Sequence, residues 1–190
     1  MKIGILALQG AFIEHEKMLT KLGAECVELR KKEDLDQKLD GLVLPGGEST
    51  VQGRLLKELG MFDKLQKQIR EGLPVLATCA GLILLAEKLE NDSHTYFATL
   101  PVSVKRNAYG RQLGSFHTDG TVGDVKDFPM EFIRAPYVEK AGDGVEVLAE
   151  VEEKIVAVRY KNQIGLAFHP ELTEHTELHE EFLRLVEKAA

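Results

Sequence analysis

Four short apolar runs, each set off from the next by a glycine or proline signal or a helical pattern, restrict the folds open to this chain. They are "KIGILAL" (residues 2–8), "AECVELR" (24–30), "LDGLVL" (39–44) and "LPVLAT" (73–78). The intervening segments repeat apolar residues at helical spacing. Phe12, Leu19 and Leu22 precede a stop at Gly23; Leu55, Leu56 and Leu59 follow Ser49; Phe62, Leu65 and Ile69 follow those. Strands that alternate with helices pair in parallel, so the pattern predicts a three-layer, doubly wound α/β sheet.

After about residue 92 the rhythm changes. Short strands are expected in "PVSVKRN", "EFIRAP", "VEVLAEV" and "KIVAVRYKNQIGLAF", separated by Gly, Asp and Asn signals, which makes the second half β-rich and partly antiparallel. The last segment, "EHTELHEEFLRLVEKAA", places Leu178, Phe182, Leu185 and Val186 at the spacing of an amphipathic helix. No repeat, low-complexity tract or linker breaks the 190 residues, so a single domain over residues 1–190 is expected.

Charge and cysteine usage narrow the function. With 24 Lys plus Arg against 31 Asp plus Glu the formal net charge is -7, and no basic run exceeds "RKK", so nucleic acid and anionic membranes are not expected partners. No apolar run approaches the roughly 20 residues of a membrane span, and the start lacks a secretory pattern, which points to the cytoplasm. The two cysteines, Cys26 and Cys79, have no partner motif for zinc or a disulfide framework, and neither a metal nor a cofactor is expected. His175 and His179, among glutamates on the terminal helix, are expected to face solvent.

Chemistry is expected where strands end, because ligands of open α/β sheets collect at the carboxyl ends. "PGGEST" (45–50) and "TCAG" (78–81) both follow predicted strands. Ala77, Ala80 and Gly81 supply the small neighbours that a sharp strand-to-helix turn at Cys79 requires, and a helix N-terminus favours thiolate. The turn alone is equally compatible with a buried, inert cysteine. In "AFHPEL", proline after His169 favours an extended backbone, so His169 and Glu171 can project to one side as base and orienting carboxylate for a cysteine nucleophile. A strand-end histidine beside a solvated glutamate is the alternative. "PGGEST" lacks the lysine of a phosphate loop. It suits an oxyanion hole, with N–H donors from Gly46-Gly47 and from Ala80 each worth ~3–4 kcal/mol in a transition state, or a tight turn with a helix cap at Ser49 or Thr50. Arg106 and Arg134 read either as surface ion pairs or as groups that hold a polar substrate such as an amino acid.

Together these blocks resemble the class I glutamine amidotransferases, and more narrowly the glutaminase subunits of pyridoxal 5'-phosphate synthase. "IGILALQGAFIEH", "GLVLPGGEST", "TCAGLILLA", "RNAYGRQLGSF", "FIRAP" and "FHPELT" occur in that family's order nearly end to end. The resemblance implies a Cys79 nucleophile, His169 as general base and acid, and Glu171 as its orienting partner. It further implies that Gly47, Glu48, Ser49, Arg106, Ile133 and Arg134 line an L-glutamine site, with Gly47 and Ala80 as oxyanion donors. Ammonia would pass to a separate (βα)8 synthase subunit in an assembly of twelve copies of each, the glutaminase being weak until the partner docks. Two residues depart from the family pattern. Ala77 stands where glycine is usual and is expected to crowd the turn, and Gly53 within a predicted helix is expected to cost ~1 kcal/mol relative to alanine. Two further readings of the same residues are a catalytically silent binding module and a stand-alone cysteine amide hydrolase.

Overall fold

The computed structural model describes residues 1–90, 92–106 and 114–190; residues 107–113 of the "RNAYGRQLGSF" block lie outside the described residues. The first half alternates strand and helix as the periodicity predicts. The order is β1 (Lys2–Leu6), α1 (Phe12–Lys21), β2 (Glu25–Leu29), β3 (Gly41–Leu44), α2 (Ser49–Glu58), α3 (Phe62–Arg70), β4 (Val75–Thr78) and α4 (Ala80–Leu85). The second half is β5 (Ala86–Leu89), β6 (Leu100–Lys105), β7 (Ser115–Val122), β8 (Val125–Ile133), β9 (Tyr137–Ala141), β10 (Glu146–Val151), β11 (Lys154–Tyr160), β12 (Gln163–Leu166) and α5 (Glu177–Ala189).

The main sheet runs β2-β1-β3-β4-β12-β11-β9-β6-β5, with β10 paired to β11, while β7 and β8 form a separate hairpin. Pairing is parallel from β2 through β12 and antiparallel across β12-β11-β9-β6. The step from β1 to β2 and the step from β3 to β4 go in opposite directions, so right-handed crossovers put α1 on one face and α2 with α3 on the other. On the α1 face, α5 rests Phe182 and Val186 on Gly41 of β3. On the opposite face, Leu82 of α4 fills the space above Gly165 of β12. The fully buried strands β3, β4 and β12 explain their continuous apolar runs, and their side chains join those of both helical layers in one buried cluster. Among the described residues no helix is long and apolar enough to cross a membrane.

The helix after Cys79, α4, ends at Leu85, where Phe97 and Thr99 N–H groups donate to the Leu84 and Leu85 carbonyls (2.9 and 3.0 Å), and the chain enters β5. The cap of α2 is neither Ser49 nor Thr50, which are helical, but Glu48, whose side chain makes no capping bond. Ala77 is fully buried and pairs with Gly165 of β12, which has no side chain beside the alanine methyl.

Gly53 of α2 has a packing reason that propensity alone does not reveal. A Cβ there would sit 2.1 Å from Tyr96 Cε1, so the ring lies flush on the helix backbone. Gly53→Ala, which would gain ~1 kcal/mol in an isolated helix, is therefore expected to destabilise the protein by about 1–3 kcal/mol through overpacking. Urea unfolding of the two proteins measures the sign directly.

Candidate active site

Four neighbouring parallel strands deliver their carboxyl ends to one place. β1 leads into Gln9 and Gly10, β3 into Pro45–Glu48, β4 into Cys79, and β12 into the segment that carries His169. The registers Leu44 with Ala77 and Leu166 with Thr78 end these strands level with one another, so the turns that follow converge.

Cys79 is held in a conformation that L-residues rarely adopt, φ 48° and ψ -102°. Such a backbone costs about 1–3 kcal/mol and persists only where its surroundings fix it. Here the Cys79 N–H donates to Leu166 O (2.8 Å), which carries the β4–β12 pairing one residue past the strand, and its carbonyl accepts from Ile83 N–H (3.3 Å) within α4. The bend is the sharp strand-to-helix turn expected from Ala77, Ala80 and Gly81. It leaves the residue 7% exposed, with Sγ 4.0 Å from Ile133 O.

His169 and Glu171 meet by a different route from strand alternation. Pro170–Leu172 forms a single 3-10 turn, and this turn brings His169 Nδ1 to 2.6 Å from Glu171 Oε1. Both are buried, so the glutamate is not solvated. Burial on its own depresses the His169 pKa, but hydrogen bonds to the Cys79 sulfur and to Glu171, with the charge of each, outweigh it and push the pKa up to about 10. The ring is therefore a cation at neutral pH, with a carboxylate on one side and the sulfur on the other. Phe128 and Phe132 of the β7–β8 hairpin pack against Phe168, and His169 N–H donates to Glu131 O (2.9 Å), so the hairpin steadies the segment from above.

The glycine loop closes the third side. Gly46 approaches so closely that a Cβ there would lie 2.3 Å from His169 Cε1 and 3.4 Å from Cys79 Cβ. Its carbonyl accepts from Ala11 N–H (3.0 Å), and its N–H donates to Thr78 Oγ1 (3.1 Å). That peptide is trans, so the Gly47 N–H is turned away from α1. Gln9 Oε1 accepts from Glu48 N–H (2.6 Å), and buried Gln52 donates to both Gln9 O (3.0 Å) and Pro45 O (3.2 Å), which ties the β1 and β3 turns together.

A cleft of about 430 Å³ opens over these groups. Gly47, Glu48, Ser49, Cys79, Arg106, Ile133, Arg134 and His169, all named from the sequence, line it; Ala80 and Glu171 lie outside the lining, Glu171 bonded to the His169 ring. Arg134 Nη2 lies 3.5 Å from Glu48 Oε1 at the rim, and Arg106 is held by Tyr96 Oη (3.0 Å) and Asp92 (3.5 Å). Sequence reasoning passed over Gln9, Gly10, Gln52 and Thr78, of which only the "QG" that ends the first apolar run left a local signal. It also misplaced one histidine. His175 is exposed as expected, but His179 is fully buried, because it shares the inward stripe of α5 with Phe182, Leu183 and Val186.

A parallel sheet with a cysteine on a strained turn and a histidine–glutamate pair on the neighbouring strand end is the architecture of the class I glutamine amidotransferases. The SNO glutamine amidotransferase family matches residues 5–188, and the chain belongs to that family. Among curated relatives, the pyridoxal 5'-phosphate synthase subunit PdxT of Desulfitobacterium hafniense is 66% identical over 183 residues, covering 96% of this chain and 92% of that one. The subunit of the same name from Streptococcus pneumoniae is 50% identical over 188 residues, 97% of each chain. A crystal structure of a glutamine amidotransferase superposes with a TM-score of 0.92 at 44% identity, over 97% of this chain and 98% of that one. A glutamine amidotransferase from Thermotoga maritima shares the fold at 18% identity, with a TM-score of 0.64 over 100% of this chain and 90% of that one.

The His169 environment gives a signed pH prediction. Because its folded pKa is raised from 6.5 to about 10, the stability contributed by the protonated ring is fully present below pH 6.5 and is lost as pH rises through about 10. In Glu171→Gln the ring keeps an acceptor but loses the carboxylate's charge, so His169 should titrate at lower pH. An NMR titration of the ring in both proteins, with urea unfolding across the same range, checks the shift and its stability cost.

Proposed function

We propose that this protein hydrolyses L-glutamine to L-glutamate and ammonia and supplies the ammonia to a separate synthase subunit that makes pyridoxal 5'-phosphate. The observation that carries the reading is the buried Cys79–His169–Glu171 constellation beside an amino-acid-sized cleft, in a chain 66% identical to a PdxT subunit.

Glutamine enters with its side-chain amide over Cys79. Glu48 and Arg134 at the rim, with Arg106 and the Ile133 and Ser49 walls, hold its amino-acid end, an ammonium toward carboxylate and a carboxylate toward guanidinium. The Cys79 sulfur attacks the amide carbon, and the oxygen that gains charge is received by the N–H groups of Gly47 and Ala80. The carbon–nitrogen bond breaks as His169 gives its proton to the departing nitrogen, which leaves a γ-glutamyl thioester and ammonia. His169, now neutral, takes a proton from water as the water oxygen attacks the thioester, and glutamate departs as the sulfur is released. Glu171 keeps the ring oriented and its cationic form stabilised throughout. The active unit is one domain over residues 1–190, cytoplasmic, working in an assembly of twelve copies of each subunit.

The test is glutamate release with and without the cognate synthase subunit. Wild type should show a large partner-dependent rise. Cys79→Ala and His169→Asn should fall by roughly 10³-fold or more while their unfolding curves remain cooperative. Full activity in Cys79→Ala would overturn the assignment, and glutamine binding without turnover in the complex would favour the silent module.

A further inference from the structure

Behind Glu171, on the side away from the cleft, two histidines form a buried line that the proposed mechanism does not use. His15 of α1 and His179 of α5 are both fully buried, with His15 Nδ1 2.8 Å from His179 Nε2. The other nitrogen of His15 faces Thr78 Oγ1 at 3.2 Å and Glu171 Oε2 at 3.5 Å. Glu171 Oε1 is taken by His169; Oε2 is buried without a hydrogen-bond partner among the described residues, and so is His179 Nδ1.

Proton placement follows from what each buried atom needs. If His15 carried its proton on Nδ1 and gave it to His179 Nε2, the His15 Nε2 lone pair would face the Glu171 carboxylate. His179 would then bury an N–H on Nδ1 with nothing to receive it. If instead His179 Nε2–H donates to His15 Nδ1, His15 Nε2–H faces Thr78 Oγ1 at 3.2 Å, with Glu171 Oε2 within ion-pair distance at 3.5 Å. Among the ring nitrogens the orphan is then a lone pair on His179 Nδ1, a cheaper defect than a buried N–H. Burial lowers the His15 pKa well below 6.5, helped by the charges of His179 and His169, and burial brings His179 down to about 4. Both rings are therefore neutral, as this pattern requires.

We infer that His15 and His179 are positioning residues for the catalytic carboxylate: His179 fixes the tautomer of His15, and His15 Nε2–H holds Glu171 Oε2 so that Oε1 stays aimed at His169. At 3.5 Å the pair is within ion-pair distance without a hydrogen bond, and the proposal requires it to tighten in the reacting complex. Thr78 links the same nitrogen to the Gly46 N–H, so the line also touches the glycine loop. This inference rests on the glutaminase reading, and its test separates the two.

In the free chain labelled with 15N-histidine, long-range proton–nitrogen correlation spectra should show His15 and His179 as neutral Nε2–H tautomers between about pH 6 and 8. A Nδ1–H tautomer at His15 overturns the proposal whatever the activity. With the synthase subunit present, His15→Leu should lower kcat by roughly tenfold, the scale typical of outer-shell partners, with KM for glutamine within about twofold. His15→Gln, which returns an N–H donor near the Nε2 position, should recover most of that loss. Equal losses in the two variants would reduce His15 to packing and sink the proposal. A wild-type complex that does not hydrolyse glutamine would instead defeat the glutaminase reading, while wild-type turnover left unchanged by His15→Leu would defeat the positioning role alone.

Discussion

The pairing of β4 with β12 does not stop where the strands do. The Cys79 N–H continues the ladder to Leu166 O, and that bond is formed by a residue whose backbone is strained. A strained residue at a strand end would relax if it were free; here the ladder on one side and α4 on the other determine its dihedrals. Because β12 is also the strand that leads to His169, one interaction sets both the bend of the cysteine and the distance to the histidine. β3 on the other flank of β4 then places the glycine loop against the same pair.

The electrostatics follow from this geometry. A histidine this buried would ordinarily be neutral, as His15 and His179 are, and its raised pKa measures how completely Glu171 and the Cys79 sulfur replace the lost water. Three buried histidines within one network thus carry opposite protonation preferences, and what separates them is that only His169 has both a 2.6 Å bond to the Glu171 carboxylate and the Cys79 sulfur beside its ring. The absence of a Cβ at Gly46 is part of the same arrangement, because any side chain there would displace the imidazole.

Most of the parallel half was legible in the sequence because its signals are local: short apolar runs, helical spacing, and glycines at the strand ends. The cysteine turn and the glycine loop were legible for the same reason; the histidine–glutamate pair was named from the sequence, but a 3-10 turn rather than an extended strand brings it together. β5 and β9 were not, since Ala86–Leu89 carries two exposed charged residues and Tyr137–Ala141 does so as well, and partners elsewhere in the sheet decide them. His179 shows a different failure. Its glutamate neighbours suggested solvent, but the spacing of 179, 182, 183 and 186 already described an inward stripe. Its partner, His15, is 164 positions away, and no reading of a window could have joined them.

The order in which these parts leave the ribosome has a consequence for synthesis. A nascent chain that has emerged only through residue 90 already holds the strand and turn of Cys79, but β12, which belongs beside that strand, begins at Gln163. His169, Glu171 and His179 follow later still, and the first helix waits for the last to cover it. From its own synthesis until that of β12 the cysteine is without its ladder partner, and it is without its base until His169 follows. Under the proposed function, no ammonia is released by a chain that is still being made, and the polypeptide's late segments act as its timing device.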